Sequence, residues 1–170
     1  MDQLKAFRFC LRCGSETRND SNIRECTSCG YRFYINPIPV VSALILSGTE
    51  ILLTTRAVEP QKGKLDTPGG FMELNETLEQ ALEREIKEEL GVGIQNIEYF
   101  NSATDKYLFS GVEDYTLGVN FKVKLASEEF SPADDISDVR YYPLDEVDMT
   151  EIGFPSVAKV IELLALNLLH

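Results

Sequence analysis

Glu85, Glu88 and Glu89 sit three, four and one residues apart in a stretch whose other residues spell an amphipathic helix. Thr77 followed three residues later by Gln80 reads as a capping box, and Gly91 suits the left-handed turn that stops a helix. Between them Leu78, Ala81, Leu82, Ile86 and Leu90 form one apolar face. At about 100° per residue, Glu85 and Glu89 point within about 40° of the Leu78–Leu82 direction, with Glu88 at the edge of that arc. Glu79, Glu83 and Lys87 point away from it. Carboxylates gathered on a half-buried face repel one another unless a cation neutralises them. Hard oxygen donors at this spacing fit Mg²⁺ or Mn²⁺, which keep several waters and hold substrate phosphates. Divalent ions held there would reverse the local charge, bind phosphate oxygens and make a bound water more acidic. Glu85 is the first candidate to accept the water's proton and Glu88 the second. The sole histidine is His170, at the end of the sequence, so a histidine base is not expected.

The four cysteines form a second constellation. Cys10-Leu11-Arg12-Cys13-Gly14 and Cys26-Thr27-Ser28-Cys29-Gly30 are two CxxC knuckles, each followed by the glycine that a tight turn under the sulfurs wants. Four thiolates in two such pairs suit a closed tetrahedral Zn²⁺ site of structural kind. A rubredoxin-like iron site uses the same ligands, though the intervening loop is short for it. Disulfides or a redox CxxC fit less well, because nothing in the sequence suggests export and the surroundings are not thioredoxin-like.

A double glycine, Gly69-Gly70, precedes the acidic helix. Gly70, five residues, Glu76, seven residues, then Arg84-Glu85-Ile86-Lys87-Glu88-Glu89-Leu90-Gly91-Val92 resembles the complete Nudix box. That resemblance implies an α/β fold, an α/β/α sandwich with a mixed sheet, and Mg²⁺-dependent hydrolysis of a nucleoside diphosphate linked to another group. It implies that Glu85, Glu88 and Glu89 hold divalent ions and that Arg84 pairs with Glu76 to shape the loop headed by Gly70. Gly69 would offer its carbonyl to a metal. The ribbon followed by Tyr34-Ile35-Asn36-Pro37 is similar to that of NADH pyrophosphatases. Their Ser-Gln-Pro-Trp-Pro-Phe-Pro signature is absent, and the chain has no tryptophan. Tyr107 falls in the zone where diadenosine polyphosphate hydrolases carry a tyrosine, and the proline of many ADP-ribose pyrophosphatases is missing. Phe71, Tyr99, Phe100 and Tyr107 are candidates to stack on a base. Glu128, Glu129, Asp134, Asp135 and Asp138 form an acidic stretch from which a further ligand or base could come. The leading reading is a pyrophosphohydrolase acting on a dinucleotide, ADP-ribose or a similar small molecule. A catalytically silent ligand-sensing module and a zinc-ribbon interaction protein are the alternatives.

The elements that must hold these residues follow from charge and pattern. Residues 1–35 make a four-cysteine zinc ribbon, too small to fold on apolar burial alone, and residues 36–170 make the Nudix domain. Residues 1–35 hold six Lys/Arg against four Asp/Glu, a formal +2, which leaves −14 for the rest of a chain at −12. The ribbon's Lys5, Arg8, Arg12, Arg18, Arg24 and Arg32 read as a solvated face, and nucleic acid is not an expected partner. No stretch spans a membrane, no signal pattern opens the chain, and a cytoplasmic setting is expected. A homodimer formed through the ribbon or an exchanged strand is also considered. Val40–Leu46 and Glu50–Arg56 read as a hairpin, Ala57–Thr67 as a loop carrying Lys62 and Lys64, and Tyr99–Phe109 with Tyr115–Leu125 as a second strand pair. Val139–Tyr142 reads as a short strand. Ser156 is the expected cap of a last helix whose Val157, Val160, Ile161, Leu164 and Leu168 face the sheet.

Overall fold

Alternation along one strand, β4 (Ile38–Ser47), separates the two core layers. Val41, Ala43 and Ile45 point to one side of the sheet and Leu44 to the other, all at most 2% exposed. The first side packs with Leu52 of β5 (Glu50–Arg56) under Ala81, Leu82, Ile86 and Leu90 of α2 (Leu78–Leu90). The second packs with Ile51 and Leu53 under Val157, Val160, Ile161 and Leu164 of α3 (Pro155–Leu169). The result is the expected α/β sandwich. Burying one such aliphatic side chain contributes about 1.5–3 kcal/mol, so the sheet is held from both faces.

This computed structural model describes residues 1–169; His170 lies outside the described residues. The chain forms two compact units, one of Met1–Ile38 with Lys106–Thr116, the other of Pro39–Asp105 with the chain from Leu117 onward. The further strands are β6 (Leu65–Asp66), β7 (Gly69–Phe71), β8 (Ile94–Phe109), β9 (Val112–Leu125) and β10 (Ile136–Pro143), the last residues of β8 and the first of β9 being counted with the smaller unit. The sheet runs β10-β5-β4-β9-β8, with β6 on β5 and β7 on β4. Both helix-end expectations for α2 hold: Thr77 and Gln80 make the reciprocal capping box, and Gly91 ends the helix at φ 75°.

Several elements differ from expectation: β9 and β10 each begin three residues early, at Val112 and Ile136, and Leu168 of α3 is exposed rather than facing the sheet. β8 begins at Ile94, five residues before Tyr99, because Gln95, Asn96 and Glu98 lie exposed on an end strand and blur the apolar alternation. Ser156 does not cap α3. The helix already starts at Pro155, the residue whose missing N–H costs nothing there, and the Asp105 carboxylate accepts from the Ser156 amide at 2.9 Å. The Ala57–Thr67 loop contains β6, and Lys64 is held away from the glycines by Glu151 at 3.3 Å and the Thr150 carbonyl at 3.1 Å.

The smaller unit is built on β1 (Thr17–Asp20), β2 (Ile23–Cys26) and β3 (Arg32–Tyr34), an antiparallel sheet in that order. A one-turn α1 (Gln3–Ala6) precedes it, capped by the Asp2 carboxylate accepting from the Leu4 amide. Arg24 is not on the solvated face to which the sequence assigns it. It shares the inward parity of Cys26 on β2 and is 1% exposed. Its guanidinium donates to the carbonyls of Phe7 at 3.0 Å, Ser21 at 2.8 Å and Ile23 at 3.1 Å, and to that of Leu4. Those four acceptors make the buried cation tolerable.

Candidate active site and cysteine cluster

The double glycine works by bringing backbone against carboxylates. β7 pairs with β4 with Gly70 opposite Val41 and Gly69 opposite Ser42. Gly69 has φ 143°, and a Cβ there would lie 2.1 Å from the Val41 carbonyl oxygen. A Cβ on Gly70 would lie 2.5 Å from the Glu85 carboxylate. Only hydrogen fits at Gly69, and at Gly70 a side chain would have to push the Glu85 carboxylate aside, so the strand lies close on the acidic face of α2.

Each of the three glutamates meets a different environment. Glu89 is 4% exposed, and its Oε2 accepts the Gly69 N–H at 2.9 Å. Burial pushes it up to about 9 against the lowering effect of that amide, and the negative charges of Asp135, Glu85 and Asp66 push the same way. Burial likewise raises Glu85, with Arg84 opposing and Glu88 and Asp135 adding to the rise. Glu88 stands half in solvent, as its place at the edge of the helical arc requires.

Arg84 organises the loop. Its Nε and Nη2 grip Glu76 Oε1 and Oε2 at 2.7 and 3.0 Å, the bidentate pair expected from the resemblance. Nη2 also donates to the Phe71 carbonyl at 2.9 Å, while Glu76 Oε2 accepts the Glu73 amide. Nη1 reaches further, to Glu85 Oε1 at 2.7 Å and Glu88 Oε2 at 3.0 Å. The guanidinium thus neutralises part of the cluster from one side. Crowded carboxylates whose charges raise Glu85 and Glu89 are a donor set that fits a hard divalent ion.

Two further carboxylates share this field. Asp135 raises Glu85, Glu89 and Asp66 through its charge, and its carbonyl accepts the Ala57 amide at 2.7 Å. Of the acidic stretch offered by the sequence it is the member turned to the cluster. Asp138 pairs instead with Arg140, and Glu128, Glu129 and Asp134 are exposed. Asp66 escapes sequence reasoning. Its partner across the sheet is Thr54, and Arg56 donates to its carboxylate at 3.1 Å in a pair whose side chains are 12% and 14% exposed. Burial raises Asp66 to about 6 while Arg56 opposes the rise. Its one available signal was an acid three residues ahead of Gly69 on a strand too short to show periodicity.

The aromatic candidates are spread out. Phe71 is partly exposed beside Arg84, Tyr99 meets Phe121 edge-on, and Lys122 Nζ sits 4.6 Å above the Phe100 ring. Tyr107 belongs to the smaller unit.

In that smaller unit Cys10, Cys13, Cys26 and Cys29 are free thiols whose sulfurs all lie within 4.8 Å of one another. Among the described residues no other set of metal-ligating side chains is drawn so close together; the glutamates are joined through Arg84 instead. The Arg12 amide donates to Cys10 Sγ, and those of Ser28 and Cys29 to Cys26 Sγ, each at 3.4 Å. Hydrogen bonds from the backbone and hydroxyl of Ser15 lower Cys13 to about 6. Cys29 goes the other way, to about 11: the Tyr31 amide lowers it, but burial and the three neighbouring sulfurs outweigh that. Four sulfurs so crowded, with amides aimed at them, fit a tetrahedral thiophilic cation.

Comparison with known proteins agrees with this geometry. NAD-capped RNA hydrolase NudC of Haemophilus influenzae (strain PittGG) is 41% identical over 103 residues, covering 58% of this chain and 39% of that protein. NudC of Pseudomonas aeruginosa (strain LESB58) is 31% identical over 141 residues, 81% of this chain and 48% of that protein. The chain therefore spans less than half the length of either relative. The crystal structure of a NUDIX hydrolase from Nitrosomonas europaea superposes with a TM-score of 0.69 at 28% identity, covering 89% of this chain and 86% of that one. With the NUDIX domain model matching residues 36–164, across the glycine pair, Arg84 and all three glutamates, the chain belongs to the Nudix hydrolase family.

Proposed function

We propose that this protein hydrolyses the diphosphate linkage of a nucleoside diphosphate derivative, with NAD-type dinucleotides, free or at the end of an RNA, as its first candidate substrates. The observation that carries the reading is the buried Glu89, held by the Gly69 amide within a field of mutually repelling carboxylates. The NudC relatives, named for hydrolysis of NAD-capped RNA, support the substrate class. Glu85, Glu88, Glu89 and the Gly69 carbonyl are the groups assigned to hold Mg²⁺ or Mn²⁺. Bound there, the ion offsets the diphosphate's charge and makes the attacking water more acidic. Arg84 and Glu76 fix the loop so that these groups stay in register. Glu85 and Asp135 are the two candidate proton acceptors. Glu85 is raised in the direction a base working near neutrality requires, and Asp135 lies close enough for its charge to add to that rise.

The domain division follows from the same reading: residues 1–35 form a ribbon folded on Zn²⁺ held by Cys10, Cys13, Cys26 and Cys29, and residues 36–170 form the hydrolase. Four free thiols fit a reducing compartment such as the cytoplasm. No helix among the described residues is long and apolar enough to cross a membrane.

The test is a hydrolysis panel with Mg²⁺ and with Mn²⁺ over NADH, NAD-capped RNA, ADP-ribose, diadenosine polyphosphates and nucleoside triphosphates. Release of two phosphomonoesters from a dinucleotide supports the proposal. Silence across the panel, with both ions bound in calorimetry, transfers support to a ligand-sensing role.

A further inference from the structure

We infer that the outer face of the three-stranded ribbon sheet binds a single-stranded polynucleotide, with Arg18 and Arg32 on successive phosphates and Tyr34 stacked on a base. The face is set by strand register. Arg18 lies opposite Glu25, and Glu25 opposite Arg32, so the three form one row across β1, β2 and β3. The next row places Tyr34 opposite Ile23, with Asp20 at the register position beyond. Burial confirms the parity: Arg24 and Cys26 of β2 and Phe33 of β3 turn inward, while Arg32 and Tyr34 are exposed. Arg18, Ile23, Glu25 and Arg32 line an open cavity of about 270 Å³.

The chemistry of that cavity suits phosphates. Glu25 accepts one N–H of Arg32 at 2.7 Å, which fixes the guanidinium plane and leaves most of its five donors for a ligand. So exposed an ion pair contributes little to stability. Its effect is to aim the fork. Arg18 flanks Glu25 on the other strand and lowers its carboxyl further, so the row keeps a net positive charge. Tyr34, 57% exposed one row away, offers a flat apolar surface of the kind on which bases stack irrespective of sequence. An acidic peptide would satisfy the arginines but has no matching use for that ring. The formal charge of −12 hides this face, because most of the acids lie outside residues 1–35, which carry a formal +2. The inference extends the proposed function, in which the diphosphate can terminate an RNA, yet it is tested without any hydrolysis.

The experiment is fluorescence polarisation of a labelled, uncapped single-stranded RNA on the zinc-loaded full chain without Mg²⁺, over a series of salt concentrations. The expected result is salt-sensitive binding that Arg18→Gln/Arg32→Gln weakens about tenfold or more, with the log–log salt slope reduced by about 1.4, or about 0.7 per lost phosphate contact. Tyr34→Ala is expected to weaken binding about tenfold with the slope unchanged, and Tyr34→Phe to restore it. Zinc content and hydrolysis of a free dinucleotide should stay at wild-type levels in all variants. Should the double substitution lose zinc, Arg18→Gln alone is read, with an expected slope change of about 0.7. Absence of RNA binding, or an affinity and slope unaffected by these changes, overturns the inference. Displacement of the RNA by polyglutamate at equal charge concentration overturns it in favour of an acidic protein partner.

Discussion

The sulfur cluster and the carboxylate cluster solve one problem, like charges crowded together, in opposite ways. The four sulfurs are drawn within 4.8 Å in a unit with little else inside, where Cys10, Cys26, Phe33 and Ile35 are the buried hydrophobic side chains. The glutamates sit on a helix already secured by Leu82, Ile86 and Leu90, and Arg84 shares their charge. On the proposed reading the first region folds only around a cation, whereas the second is folded beforehand and spends stability on keeping a cation site.

Metal removal separates the two most sharply. A thiol-directed chelator should unfold residues 1–35 and leave the sheet intact, since structural zinc sites supply about 10–16 kcal/mol of apparent folding free energy. Hydrogen exchange checks this, and amides of β1–β3 that stay protected after zinc is gone would erase the contrast. Glu89→Gln should then lower turnover on the order of a thousandfold while the urea midpoint holds or rises, because the substitution removes the cost of taking an ionisable carboxyl out of water. Gly70→Ala attacks the glutamate region from the strand side. It must displace the Glu85 carboxylate, and a cost of about 1–3 kcal/mol with a fall in kcat is expected, read from denaturant titration and initial rates.

A further expected effect concerns pH. Glu89 is raised to about 9 in the fold, above the usual glutamate value of about 4.3, so between those pH values the folded state holds more protons than the unfolded one. Stability from this group is complete below the lower value and is lost as pH rises towards 9 in zinc-loaded protein without Mg²⁺. Adding Mg²⁺ should flatten or invert that slope, and Glu89→Gln should reduce it. A urea midpoint level across the window in wild type would show that the crowding carries no cost.

How much of this was legible in the sequence depended on whether position or pairing did the work. Helical geometry alone separated Glu85 and Glu89 from the more exposed Glu88, and both ends of α2 were written in Thr77, Gln80 and Gly91. Asp66 and Asp135 could not be told from other acids, since only β6 on β5 and the return of the chain to the Ala57 amide bring them to Glu89. Arg24 was misread for a related reason. Four residues of strand are too few for parity to stand out, and a cation's burial depends on carbonyls distant in sequence. The cap of α3 failed likewise, because Asp105 is supplied from another strand.

Arg24 also bears on how the protein can be shortened. One side chain clasps backbone from Leu4, Phe7, Ser21 and Ile23, so the opening turn of the chain is tied to the sheet by a guanidinium as well as by sulfur. A version trimmed to begin at Arg8 would keep every cysteine yet strip two acceptors from a cation that water cannot reach. Such a trimmed protein should bind zinc and still fray, and its boundary is better set ahead of Asp2.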